Sequence, residues 1–83
     1  MKHLDQARAI LAEAVKLPAA SLPDDASVQT LAAWDSIAHV HVILALERIA
    51  GRELSTEAIA GLNSLADIAT LLGEEEGQGR AKE

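Results

Sequence analysis

Apolar residues recur at helical spacing from the start of the chain. Leu4, Ala7, Leu11, Ala14 and Val15 make one stripe, which predicts a helix from about Leu4 to Val15. Asp5 in the first turn and Lys16 near the last both suit the helix dipole. Pro18 is expected to stop the run. The periodicity is then lost from Leu17 to Asp35. Pro18, Ser21, Pro23, Asp24 and Asp25 argue against a second long helix there and predict a long connection, with Val28 and Leu31 as its pins into the core.

Helical spacing returns at Ser36 and runs to about Ala50, after two good N-terminal residues, Asp35 and Ser36, and before a terminating Gly51. The apolar positions of this segment cover more than one face. Ile43, Leu46 and Ile49 with Ala50 are expected to face the core, while Ile37, Val40 and Leu44 form a neighbouring stripe. That is more apolar surface than packing alone needs, which suggests a contact face. A short helix is predicted from Thr56 to Ala60, capped by Ser55 and closed by Gly61. The last helix is expected to start after Asn63 or Ser64, with a capping pattern of Ser64 and Asp67. Leu65, Ile68, Leu71 and Leu72 are its buried stripe, and Gly73 its end. Glu74 to Glu83 reads as a frayed, charged tail, leaving residues 1–73 as the folded domain. The fold class is therefore all-α: a small four-helix bundle with three main helices, one short helix and a long first loop.

Composition narrows the function. With 83 residues the chain is one small domain, hiding roughly 60–65% of its unfolded surface, and it has little room for a large pocket. Cysteine is absent, which excludes disulfides, cysteine-ligated metals and a cysteine nucleophile. Seven Lys or Arg against thirteen Asp or Glu give a net charge of −6, and the basic residues are scattered, which argues against nucleic acid. The longest apolar run, Val42 to Leu46, is far short of the roughly 20 residues of a membrane span. No secretory signal is visible, so a cytoplasmic location is expected. Trp34 is the single aromatic residue, and the core must be aliphatic.

Candidate chemistry centres on Asp35-Ser36-Ile37. A hydroxyl at the start of a helix sits where the positive helix end favours an anion, such as a phosphate ester on Ser36. Asp35 can orient a partner's metal ion or basic residue. The plain alternative is that Ser36 is only a helix cap. A self-contained serine hydrolase is a poor reading. His39 lies three positions on, but no acidic residue is placed to orient it, His41 is rotated away, and there is no G-x-S-x-G elbow. His3, His39 and His41 do not converge as metal ligands, so no metal site and no catalytic residue are expected. Glu47 reads as part of a solvated face near Arg48 and Arg52. Trp34 either packs against the loop or lies exposed beside Ser36, and packing is the plainer reading.

The stretch from Trp34 to Glu47, Trp-Asp-Ser-Ile-Ala-His-Val-His-Val-Ile-Leu-Ala-Leu-Glu, resembles the signature segment of acyl carrier proteins and related thiolation domains. Their pattern is Asp-Ser-Leu opening the second helix, then an aliphatic series and a Leu-Glu pair. Gly51 to Ser55, and Ser64 to Ile68 leading to Leu71-Leu72, follow in the same order and spacing. The resemblance covers essentially Leu4 to Leu72 and implies the acyl-carrier type of bundle. It further implies that Ser36 receives 4'-phosphopantetheine from coenzyme A, supported by Asp35, through a separate phosphopantetheinyl transferase using magnesium. The arm would supply the thiol that this cysteine-free chain lacks, holding acyl or aminoacyl cargo as a thioester for partner synthases, ligases or transferases. The carrier itself would not be an enzyme, and a monomer is expected. Trp34, Ile37, Val40, His41, Leu44, Ile59 and Leu62 are the partner-facing candidates, with Ala58 close to the arm. In fatty-acid carriers of this family the cargo can slide between the second and third helices.

Three departures qualify the resemblance. Ile37 stands where the family usually has Leu. Trp34 stands where fatty-acid carriers have a small residue. Ala38, His41 and Arg48 occupy positions that housekeeping carriers fill with acids, which leaves the second helix near neutral and weakens docking to basic partners. These departures point to a specialised pathway, and the start at Met1 with a polar tail suits a free-standing carrier. The competing expectation is a carrier-like helical protein that is never loaded and serves as an interaction or regulatory module.

Overall fold

The structure is a computed structural model and describes residues 2–81. Four α-helices follow in order: α1 (Lys2–Val15), α2 (Ser36–Ala50), α3 (Thr56–Ala60) and α4 (Leu65–Ala81), with one 3-10 turn at Ala19–Ser21. Among the described residues there is no β-strand, only an isolated bridge between Ser27 and Ser64. The chain is thus mostly helical and all-α. α1 packs chiefly on α4 and then on α2.

The expected stripes of α1 and α4 form the core. Ala7, Leu11, Ala14 and Val15 meet Leu65, Ile68, Leu71 and Leu72, all buried. From α2 the buried residues are Ala38, Val42 and Leu46. Ile43, half-buried, packs against the same core as expected, whereas Ile49 is exposed, which corrects that part of the expected core face. The buried line follows i, i+4, i+8 from Ala38, and Ile49 lies off it.

α1 ends one residue sooner than a Pro18 stop requires. Lys16 adopts a left-handed φ of 62°, and Leu17 N donates back to Ala12 O at 3.1 Å, which closes the last turn. α2 ends in the same way. Gly51 has φ 73°, and Arg52 N donates to Glu47 O. α3 is capped as expected, with Ser55 Oγ accepting from Ala58 N. At the start of α4, Ser64 Oγ accepts from Asp67 N, and the Asp67 carboxylate accepts from Asn63 N at 3.0 Å.

The connection from α1 to α2 is pinned by Leu31, as expected, which packs half-buried against the core, but not by the side chain of Val28. Val28 is exposed and Leu31 half-buried, whereas Leu22, Ala26 and Trp34 are buried. Two backbone bonds tie the middle of the connection to the entry of α4: Leu65 N to Ala26 O and Val28 N to Asn63 O, both 2.9 Å. Val28 is thus held by its backbone, which leaves its side chain outside. Nearer α1, Arg8 bonds Leu22 O and pairs with Asp24.

The expected stop at Gly73 is corrected, since α4 continues through it to Ala81. Gly73 is not among the residues of positive φ, and the His3 ring lies 3.7 Å from where its Cβ would stand. Its small size suits a close approach of α1 rather than a helix end, and Glu74 to Glu76 are good helix formers. Lys82 and Glu83, the last residues of the expected tail, lie outside the described residues.

The two glycines predict opposite outcomes. Gly73→Ala, in a helix interior with an ordinary contact to His3, should raise stability by about 0.5–1 kcal/mol. Gly51→Ala, at φ 73°, should lower it by about 1–2 kcal/mol. Urea denaturation of the two variants checks both signs.

Candidate functional site

The first turn of α2 divides its work between two neighbours. Asp35 is the N-cap, with extended backbone (φ −92°, ψ −171°), and its side chain accepts from Ala38 N at 2.9 Å. His39 N donates to Asp35 O at 2.9 Å, closing the first helical bond. Ser36 is the first helical residue and is exposed. Among the described residues, its hydroxyl makes no hydrogen bond. The reading of Ser36 as only a cap therefore fails, because Asp35 does that work. The amides at the very start of a helix have no intrahelical acceptor, and they surround the Ser36 hydroxyl with partial positive charge.

Trp34 takes the plainer of its two expected readings. It is buried (4% exposed) at the end of the connection, with Trp34 N donating to Leu31 O. Its indole N–H donates to His39 Nδ1 at 3.1 Å, and the two rings lie 6.0 Å apart. Sequence reasoning missed this bond. Its signal was the pairing of a donor-only indole with an imidazole one turn into the following helix. Trp34, Asp35, Ser36 and His39 line an open cleft of about 380 Å³ together with Val28 and Asn63. The segment before α4 thus reaches the site through the same bridge that pins the connection.

The remaining expected residues fall into two groups. Ile37 (69% exposed), Val40, His41 and Leu44 are on the surface of α2, and Ile37 and His41 line a shallow groove beside Ala14 and Lys16 of the α1 end. Trp34 and Leu62 are buried, so neither presents a side chain to a partner. This corrects their place on a contact face. Leu62 is drawn inward where the chain passes from α3 to α4, and Ala58 and Ile59 are half-buried against the same core. Glu47 is also corrected. Its carboxylate accepts from Leu54 N at 3.0 Å and holds the chain after α2, rather than lying on a solvated face. No cluster of three or more potential metal ligands occurs among the described residues. No helix among them is long and apolar enough to cross a membrane.

No family model, no curated protein and no solved structure matches this chain.

The cap assignment separates the two neighbours by experiment. Asp35→Ala should cost about 1 kcal/mol of stability, whereas Ser36→Ala should stay within about 0.5 kcal/mol of the parent. Thermal unfolding followed by circular dichroism measures both. Equal losses would mean that Ser36 shares the cap.

Proposed function

We propose that this chain is a carrier protein of the acyl-carrier type, modified on Ser36 with 4'-phosphopantetheine and without catalysis of its own. One observation carries the reading: Ser36 presents an exposed hydroxyl with no structural duty at the positive end of α2, while Asp35 supplies the cap. A hydroxyl so placed fits a phosphodiester, whose charge the helix end favours. The order of elements, with a long pinned connection before α2 and a short α3 before α4, agrees with the resemblance of residues 4–72 to that family.

In loading, Ser36 Oγ bonds to the phosphorus of coenzyme A that bears the pantetheine. The hydroxyl loses its proton, and the adenosine bisphosphate half of coenzyme A leaves. The transferase and its magnesium supply the activation. The bound group would give the protein a thiol on a long tether, able to hold acyl or aminoacyl cargo as a thioester at high effective concentration. This chain's own residues hold that tether in place: Asp35 fixes the first turn, and the bonds from Ala26 and Val28 fix the connection that leads to it.

Partners of such a carrier are its transferase and the ligases, synthases or transferases that use the cargo, in the cytoplasm. The exposed face of α2 offers them Ile37, Val40 and Leu44, with His41 and Arg48 as its polar members. A face of that kind suits a specialised pathway better than the basic docking surfaces of primary fatty-acid synthesis.

Incubation with a broad-specificity phosphopantetheinyl transferase, coenzyme A and magnesium should add one phosphopantetheine to the intact mass, and peptide mapping should place it on Ser36. Ser36→Ala should remain folded and take up none. A wild-type chain that stays unmodified under these conditions, although folded, overturns the carrier reading in favour of an unloaded interaction module.

A further inference from the structure

The indole N–H of Trp34 is a donor with no acceptor capacity. It is buried with its ring, and its partner is His39 Nδ1. That bond requires a bare Nδ1, so the proton of the neutral imidazole sits on Nε2. Trp34 thereby selects one tautomer of His39. With Nδ1 turned to the buried indole, Nε2–H lies at the opposite edge of the ring, and His39 lines the cleft that also contains Ser36. Among the described residues, Nε2 has no hydrogen-bond partner. Ser36 and His39 are three positions apart on α2, which sets their Cβ atoms about 5–6 Å apart.

The other groups around the cleft give this donor its meaning. Asp35 is an acceptor committed to Ala38 N, and its charge opposes a second anion. Val28 and Trp34, from the connection, bring no charge. Asn63, from the segment before α4, is neutral and uses its amide nitrogen to donate to Ala60 O. His41 lies instead along the grooves between α1 and α2. Asp35 and His39 are thus the titratable groups of the cleft, and His39, on the helix of Ser36 itself, is the one of them able to donate to an anion there; the second N–H of the Asn63 amide is the other side-chain donor in the lining.

We propose that His39, held in the Nε2–H tautomer by Trp34, is a binding residue for the phosphodiester on Ser36, donating to a non-bridging phosphate oxygen. Trp34 is the positioning residue. The proposal rests on the carrier reading above and goes beyond it by naming how this chain steadies the base of the arm. A second proton on His39 would set Nδ1–H against the indole N–H and break that bond, while strengthening the pull on the phosphate. The two ends of the ring therefore respond to acid in opposite directions.

The test uses the full chain, loaded by the transferase and checked by intact mass before each measurement. Phosphorus spectra and nitrogen-15 spectra of the histidine rings are recorded from about pH 8 to 5, across the range in which imidazoles titrate. The Nε2-protonated tautomer of His39 is expected before and after loading, with its Nε2–H resonance moved by loading. The phosphorus signal is expected to move on acidification, and the Trp34 indole resonance to move with it. In loaded His39→Ala the phosphorus signal should not move with pH over this range. In loaded Trp34→Phe, which keeps a ring but removes the donor, His39 should show mixed tautomers and a smaller change on loading.

Should either variant fail to fold, the loading-dependent change in wild-type His39 decides alone. A fully loaded, folded wild type whose His39 resonances match those of the unloaded protein, with a phosphorus signal insensitive to pH, overturns the proposal and leaves the carrier reading standing. A wild type that the transferase cannot load overturns the carrier reading and the proposal with it.

Discussion

Burying Trp34 immediately before a helix cap is the constraint on which the working end of this protein depends. The core is otherwise aliphatic, and a single large ring closes the connection between α1 and α2. An indole buried in such surroundings must also satisfy its N–H, because an orphaned donor costs about 1–3 kcal/mol. His39 is the acceptor, and it stands on the first turn of the helix that follows. The connection is therefore fastened to α2 through a side chain as well as through the backbone. With Trp34 set, Asp35 falls at the N-cap and Ser36 at the first helical position. The residue that carries the candidate chemistry is placed by its neighbour's burial.

The same economy recurs along α2. The two carboxylates at the ends of α2 each have a local structural task. Asp35 caps the start, and Glu47 turns to the amide of Leu54 at the end. Ala38, Val42 and Leu46 take the core side, which leaves Ile37, Val40 and Leu44 exposed with His41 and Arg48 beside them. The one carboxylate within α2 is turned to the following loop and is matched in charge by Arg48, so this face is near neutral. The chain is acidic as a whole, at −6, yet the helix that bears Ser36 is not. The acidic residues lie largely elsewhere, while the local character of α2 is apolar.

How much of this was legible in the sequence depended on how local each feature is. The bounds of α2 and α3, the cap at Ser55, and the buried stripes of α1 and α4 follow from spacing and capping chemistry within a few residues, whereas the choice between Asp35 and Ser36 as the cap of α2 was left open until the structure gave it to Asp35. Features set by distant contacts were not legible. Val28 looked like a pin by hydropathy, but its amide is claimed by Asn63, so its backbone does the pinning. Gly73 looked like a stop, but a glycine inside a helix looks the same in sequence, and the His3 ring packs beside it. Ile49 depended on the rotation of α2 about its axis, which α1 and α4 decide. Leu62 looked like a partner contact, but the turn from α3 into α4 carries it inward.

On the carrier reading proposed above, the same geometry bears on why Ser36 would suit modification better than catalysis. A serine nucleophile acting alone needs a base with a free lone pair near its hydroxyl and a third group to orient that base. The nearest imidazole on its helix is His39, whose lone pair at Nδ1 is already used by the Trp34 indole. Its remaining nitrogen carries the proton and can only donate while that bond holds. The nearest carboxylate, Asp35, is engaged by the Ala38 amide instead of orienting an imidazole. Ser36 is thus exposed, unengaged and without a base of its own. Such a hydroxyl is suited to chemistry in which another protein brings the base and the electrophile. The positive helix end it does have would favour the anionic product of that chemistry.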